Sequence, residues 1–308
     1  MNIFDKILVT GSTGLVGGAI ANLLEKRGFL EVWTPSRKDG LDLSKEESIN
    51  KIVEYNPDYI FHAAALVGGI SRNMKSPAEF GIENSKINNN VIEAAHRCEA
   101  KLLFLGSSCI YPRDCPQPMK EEYLLSGPCE PTNEMYALSK IFGIKLCQAY
   151  RKQYGDNFIS CQPSNIYGEG DHFDLENSHV VGALFNRFFN AKQEELSSVT
   201  LWGTGSAKRE FTYVTDVADA CLFLMDNYND PEPINIGTGI DFTIRELSEK
   251  IKEVVGFKGL VKWDDTKPDG MPRKIVDVTR INSIGWRHKI DIDEGLKRTY
   301  KYFRGLND

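Results

Sequence analysis

The chain of 308 residues has no excess of basic charge: 37 Lys and Arg stand against 43 Asp and Glu, for a formal net charge of −6. Binding a nucleic-acid backbone calls for a basic patch or stripe, so a nucleic-acid partner is not expected. The cysteines, at positions 98, 109, 115, 129, 147, 161 and 221, are odd in number and form no CxxC pair. Neither a disulfide framework nor a metal site is suggested. No apolar run approaches the ~20 residues of a membrane helix. The opening "MNIFDKILVTGSTG" enters a strand directly, with no charged n-region or long apolar core. A reduced, cytoplasmic protein with no membrane partner is the expectation.

What the chain does have is alternation. "KILVT", "LEVWTPS", "DYIFHAAA" and "KLLFLGSS" read as strands. Between and after them, "LVGGAIANLLEKRG", "SKEESINKIVEYN", "NSKINNNVIEAAHRCEA" and "MYALSKIFGIKLCQAYRKQYG" read as helices. Such alternation predicts βαβ units and a parallel sheet covered on both faces. The fold class is therefore α/β, a doubly wound Rossmann domain with a smaller α/β substrate lobe. The boundaries expected are 1–167 plus 211–238 for the large domain, and 168–210 plus 239–308 for the lobe.

"VTGSTGLVGGAI" places Gly11, Gly14 and Gly17 at GxxGxxG spacing between the first strand and the first helix. Glycines there permit a tight turn and close backbone approach, and the helix N-terminus then faces a pyrophosphate. A glycine pattern alone is weak, but here the strand–turn–helix context is present. The end of the second strand, "TPSRKDG", offers Arg37 and Lys38 where an NAD site usually presents an acid. A guanidinium suits a 2′-phosphate, so NADP(H) is preferred over NAD, although a solvated basic turn would look the same.

"YALSK" sets Tyr136 and Lys140 four apart on one helix face,. A nearby ammonium is expected to lower the phenol pKa, letting the pair serve a carbonyl oxygen. Exposed YxxxK pairs are common, but together with the glycine motif this one resembles the short-chain dehydrogenase/reductase superfamily in its extended branch. The serine of that triad matches Ser107 in "FLGSSCIYP". If the strand continues, Ser107 and Cys109 point one way and Ser108 the other. A thiol in that place suggests an acid–base step beyond reduction.

"GSSCIYP", "CEPTNEMYALSK", "NSHV", "WGTG…REF" and "KPDGMPRK…DVTR" together resemble the GDP-L-fucose synthase family over nearly the whole chain. That resemblance implies conversion of GDP-4-keto-6-deoxy-D-mannose to GDP-L-fucose by 3,5-epimerisation and NADPH-dependent 4-reduction. It implies a reductase triad of Ser107, Tyr136 and Lys140, and an epimerising pair, Cys109 and His179. Substrate-binding positions carried over are Ser108, Arg187, Trp202, Arg209 and, more weakly, Asp277. For NADP(H) the resemblance implies Gly11, Ser12, Thr13, Gly14, Leu15, Val16, Gly17, Arg37, Lys38, Asp42, Ala64, Ala65, Leu105, Lys140, Pro163, Asn165, Ile166 and His179. It also implies a homodimer through helices near 90–100 and 140–153. Two departures bear on sugar preference: Lys208 replaces an uncharged residue, and "DHFDLENSH" is acidic. Trp202 could equally be lobe core, and His62 reads as structural. A 4-reductase of another GDP-sugar would not need the Cys109/His179 pair. An NAD-dependent epimerase would consume no cofactor, and a dinucleotide sensor would not need the triad.

Overall fold

The computed structural model describes residues 1–174, 178–267 and 269–307. In chain order the large domain starts with β1 (Ile7–Thr10), α1 (Leu15–Lys26), β2 (Val32–Trp33), α2 (Glu47–Tyr55) and β3 (Tyr59–His62). It continues through α3 (Ile70–Lys75), α4 (Pro77–Arg97), β4 (Lys101–Leu105), α5 (Glu134–Tyr154) and β5 (Phe158–Pro163). Then follow β6 (Asn165–Tyr167), α6 (Val180–Gln193), β7 (Ser198–Trp202), β8 (Lys208–Tyr213) and α7 (Val214–Asn227). The chain ends with β9 (Ile234–Ile236), β10 (Asp241–Thr243), α8 (Ile244–Val255), β11 (Leu260–Asp264), β12 (Arg273–Lys274), α9 (Thr279–Ser283) and α10 (Ile292–Asn307).

Six strands form one parallel sheet in the order β2-β1-β3-β4-β5-β9. The strands are almost wholly buried because both faces are covered, which is why they read as continuous apolar runs,. On one face Leu102 and Phe104 of β4 pack with α2, α4 and α5. On the other, Leu103 and Leu105 pack with α1 and α7. Each such fully buried side chain contributes about 2–3 kcal/mol of apolar transfer energy. The strand order reverses between β1 and β3, opening a crevice at the carboxyl ends of the strands,.

The second sheet gathers β10, β8, β12 and β6, with β7 and β11 paired beside it. Its core runs from Tyr167 and Phe173 through Phe185 and Phe211 to Leu247, Leu296 and Phe303. The domain boundaries therefore differ from those expected. Residues 165–167 and 211–213 pair with each other in the second sheet, through contacts too distant in sequence for periodicity to reveal. Conversely, Val276, Ile281 and Trp286 return to bury against the large domain. Among the described residues no helix is long and apolar enough to cross a membrane.

Candidate active site

The glycine turn is built for close approach. Gly11 holds φ at +70°, and a Cβ there would lie 2.8 Å from the Ala64 backbone. A Cβ on Gly17 would collide with the Gly11 carbonyl, so the turn packs directly under the start of α1. Ser12 Oγ donates to the Thr34 carbonyl (3.0 Å), joining the turn to the end of β2. Thr13, Gly14, Leu15 and Val16 complete the turn and open α1, with Gly14 as its N-cap. Ala64 and Ala65 lie in the loop after β3, where the Ala64 backbone packs against Gly11. This cradle, which a Cβ would fill, fits a pyrophosphate at a helix N-terminus.

The basic turn lies at the expected distance along the chain. Arg37 is 66% exposed by side chain and approaches Asp42 at 3.4 Å, while Lys38 is exposed. An acid does occur in this turn, Asp39, but its carboxylate accepts from Ser36 N (2.9 Å) and Oγ (2.6 Å) and is occupied locally.

Below the crevice, His62 is fully buried between Thr10 Oγ1 (2.8 Å) and Asn88 Oδ1 (3.2 Å). Burial first, and the neighbouring Lys140 second, push the imidazole down to about 3, so it is a neutral structural group.

The reactive cluster stands at the end of β4. The strand stops at Leu105, and Ser107 caps a short 3-10 turn over Ser108–Ile110. The expected alternation of faces therefore does not apply beyond Leu105. Ser107 and Cys109 are nevertheless brought together, because Cys109 N donates to Ser107 Oγ at 3.2 Å. Ser108 turns inward and is 4% exposed. Gln162 Oε1 accepts from Ser107 N (2.9 Å) and fixes the turn from β5.

Cys109 Sγ receives two donors: Asn133 Nδ2 at 3.2 Å and Lys274 Nζ at 3.3 Å. Burial alone would raise this thiol. The Lys274 ammonium, with hydrogen bonds from Ser107, Lys274 and Asn133, outweighs burial and brings it below the usual thiol range. The fully buried Cys147, with no such partners, is pushed far up.

Tyr136 behaves differently from expectation. Burial first, then the adjacent Cys109 charge, raise its phenol well above the ordinary value, against a smaller lowering by a hydrogen bond with Ser107. Lys140 does not offset this. Its ammonium donates to the Leu105 carbonyl (2.7 Å) and sits 5.0 Å from the Phe104 ring centre, and burial brings it down to about 8. Tyr136 is thus a protonated phenol, a proton donor in waiting.

The second lobe supplies the outer wall. His179 is exposed and is the N-cap of α6, with the buried carboxyl of Asp171 in its electrostatic reach. Arg187 on α6 donates to the Thr200 carbonyl at 3.3 Å. Arg209 is half-buried and donates to the Lys208 and Met271 carbonyls, both at 2.7 Å. Among the described residues no carboxylate pairs with Arg209, so its charge is available to an anion. Trp202 is 68% exposed, with the Lys267 ammonium 5.9 Å from its ring centre, which excludes it from the lobe core. Pro163 ends β5 and is buried, Asn165 Nδ2 donates to the Glu210 carbonyl (2.7 Å), and Ile166 follows it in β6.

Asp277 stands apart from these groups. It accepts from Thr279 N (2.8 Å) at the start of α9 and lines a separate ~330 Å³ cavity with Lys120, Glu122 and Arg280. Three residues of the acidic stretch, Leu175, Glu176 and Asn177, lie outside the described residues. Among the described residues no group of three or more His, Cys, Asp or Glu is arranged to hold a metal.

Sequence reasoning missed Asn133 and Lys274. Both lie in segments singled out by resemblance, "CEPTNEMYALSK" and "KPDGMPRK". A lysine in a Pro- and Gly-rich turn nonetheless reads as solvated, and nothing local shows that it reaches Cys109.

Comparison with known proteins agrees with this geometry. Residues 7–237 match the family model described as NAD dependent epimerase/dehydratase family. GDP-L-fucose synthase 1 of Arabidopsis thaliana is 49% identical over 300 residues, covering 97% of this chain and 93% of that protein. GDP-L-fucose synthase of Escherichia coli K12 is 45% identical over 310 residues, covering 97% and 96%. The crystal structure of a GDP-L-fucose synthetase from Naegleria fowleri bound to NADP superposes with a TM-score of 0.90 at 26% identity, covering 100% of this chain and 96% of that one. With its glycine cradle, its serine–tyrosine–lysine cluster and its second lobe, the chain belongs to the NAD dependent epimerase/dehydratase family and, within it, to the GDP-L-fucose synthases.

Proposed function

We propose that this enzyme converts GDP-4-keto-6-deoxy-D-mannose to GDP-L-fucose by epimerisation at C3 and C5 followed by NADPH-dependent reduction at C4. The observation that carries the reading is that one turn brings together a thiol, Cys109 Sγ, lowered against burial by the Lys274 ammonium at 3.3 Å, and the protonated phenol of Tyr136, with Ser107 Oγ accepting from the Cys109 backbone N–H at 3.2 Å. A reductase alone needs only the second of these.

The chemistry follows from the ketone. It acidifies the hydrogens on its two α carbons, C3 and C5, so a base can remove each through an enolate. Cys109 is that base and His179 the acid that returns a proton on the opposite face. Ser107 and Tyr136 hydrogen-bond the developing oxyanion. Reduction destroys the ketone and with it the acidity, so epimerisation comes first. The Gly11–Gly17 cradle would hold NADPH, with Arg37 and Lys38 the cations available to its 2′-phosphate, and the cofactor would supply the hydride for C4. Tyr136 then gives its proton to the C4 oxygen, and Lys140 orients the groups around it. Arg187 and Arg209 hold the diphosphate as bidentate cations, and the exposed face of Trp202 is open to a base.

We also propose a homodimer. Ile82 on α4 and Met135, Leu138 and Phe142 on α5 are 38–57% exposed on two helices that pack side by side. The exposed apolar residues lie nearer the starts of these helices than residues 90–100. Seven free cysteines suit a reducing cytoplasm,.

The reaction is tested by incubating the protein with GDP-4-keto-6-deoxy-D-mannose and NADPH in heavy water and reading the product by NMR. GDP-L-fucose carrying deuterium at C3 and C5 is expected. A 6-deoxy-D-hexose without deuterium would reduce the activity to that of a 4-reductase.

A further inference from the structure

Lys274 is half-buried, and among the described residues its ammonium has one hydrogen-bond partner, Cys109 Sγ at 3.3 Å. Among the described residues no carboxylate pairs with it. An ammonium removed from water needs a counter-charge, and a neutral thiol is too weak an acceptor to supply it. Asn133 Nδ2 converges on the same sulfur at 3.2 Å, so two donors point at it.

The backbone fixes this lysine firmly. Lys274 pairs with Arg209 in the parallel register of β12 on β8, and Lys208 N donates to the Pro272 carbonyl (2.8 Å). On the other side Ile275 N donates to Gln117 Oε1 (2.9 Å), Met119 N to the Ile275 carbonyl (2.8 Å), and Val276 N to the buried Glu210 (2.9 Å). The strand crosses from the second lobe onto the large domain at this point. Arg209 itself holds the Met271 carbonyl, three residues before Lys274.

We propose that Lys274, carried on β12, is a positioning residue that holds Cys109 as the thiolate of an ammonium–thiolate pair. The inference rests on the reading of Cys109 as the epimerising base, and it adds how that base is kept charged and which lobe charges it. The diphosphate grip and the base thereby share two adjacent strands, Arg209 on one and Lys274 on the other.

The groups bearing on Cys109 come from four directions. Ser107 lies on its own turn, Tyr136 and Asn133 at the start of α5, and Cys129 on the preceding loop, with Lys274 opposite. Cys115 lies near Lys274 with Asp114 beside it. Among the described residues, the Lys274 charge is the largest influence that lowers the thiol. An opposite charge at such range lowers an acid's pKa by about 1–3 units.

The test is the pH dependence of alkylation by iodoacetamide, with Cys109 followed by peptide mass spectrometry in the full-length protein without substrate. Burial raises the half-buried Cys98 and Cys115, so they should lag behind it. Wild type is expected to alkylate at Cys109 near neutrality. Lys274→Met should move the midpoint up by about 1–2 units, while Lys274→Arg should stay near wild type. Superimposable Lys274→Met and wild-type curves, with circular dichroism unchanged, would overturn the proposal. If Lys274→Met misfolds, Lys274→Gln decides: a curve that superimposes on wild type refutes the proposal, and an upward shift like that expected of Lys274→Met supports it. Because no substrate is present, the result is independent of whether the product is GDP-L-fucose. A shifted midpoint with no deuterium exchange in wild type would remove the functional reading and leave the ion pair standing.

Discussion

The two walls of the site are built in opposite ways. The large-domain wall is Ser107, Cys109, Tyr136 and Lys140, side chains packed against one another and the nearby backbone, in which burial sets the protonation of Tyr136 and Lys140 and Lys274 overrides burial at Cys109. The second-lobe wall is His179, Arg187, Trp202 and Arg209, exposed or half-buried and held by backbone carbonyls or a single lysine. Reacting groups need a fixed environment, because each unit of pKa shift is about 1.4 kcal/mol of preference for one protonation state. Groups that grip a ligand need open positions for it. The comparison predicts that substitutions on the first wall, and at the one reacting group of the second, His179, lower kcat, while those at Arg187, Trp202 and Arg209 raise KM.

The largest effect is expected from Tyr136→Phe. Removing the phenol proton donor should lower kcat for NADPH oxidation by about 10³-fold, with the fold and cofactor binding retained. Turnover within about threefold of wild type would take Tyr136 out of the donor role and break the comparison at its strongest point.

Cys109→Ser should come next and should change the product rather than stop the enzyme. A hydroxyl stays protonated at neutral pH even beside an ammonium. Deuterium incorporation at C3 and C5 should fall by about 10²-fold or more, because one base serves both carbons. The remaining triad should still reduce the unepimerised ketone slowly, giving a GDP-6-deoxy-D-hexose. Wild-type deuterium content and rate in this variant would make Cys109 an ordinary thiol.

Much of the large-domain wall was legible in the sequence, and the reasons are local. The glycine turn follows a strand and opens a helix, and YxxxK is a spacing on one helix face. The rest depends on contacts across the chain. That β4 stops at Leu105 is decided by the turn Ser107 caps and by Gln162 on another strand. The phenol of Tyr136 rises because it is buried beside Cys109 while the Lys140 ammonium is bonded to the Leu105 carbonyl, which no spacing reveals. Lys274 meets Cys109 across 165 residues through a pairing of β12 with β8. The exposure of Trp202 likewise follows from the edge it occupies on the β7–β11 pair.

On the second wall, Trp202→Ala should raise KM for the GDP-sugar by about tenfold, the range of one stacking contact, with kcat within about twofold. The side chain is exposed, so the melting temperature should hardly move. A drop in kcat at unchanged KM would mean that Trp202 acts on the chemistry and would erase the contrast between the walls.

The smallest effect is expected outside both walls, at Arg37. Its guanidinium is two-thirds exposed and already lies 3.4 Å from Asp42, so a 2′-phosphate must compete with that carboxylate and with water. Screening at such a surface limits the gain to about 1 kcal/mol, or roughly fivefold in affinity. Arg37→Ala should therefore raise KM for NADPH about fivefold and leave KM for NADH unchanged, with kcat unaffected for either. Asp42→Asn should do the reverse by releasing Arg37, tightening NADPH slightly. Equal losses for both cofactors in Arg37→Ala would show that the residue supports the turn rather than reading the phosphate. The discrimination against NADH would then have to come from Lys38 and from the way Ser36 keeps the Asp39 carboxylate engaged.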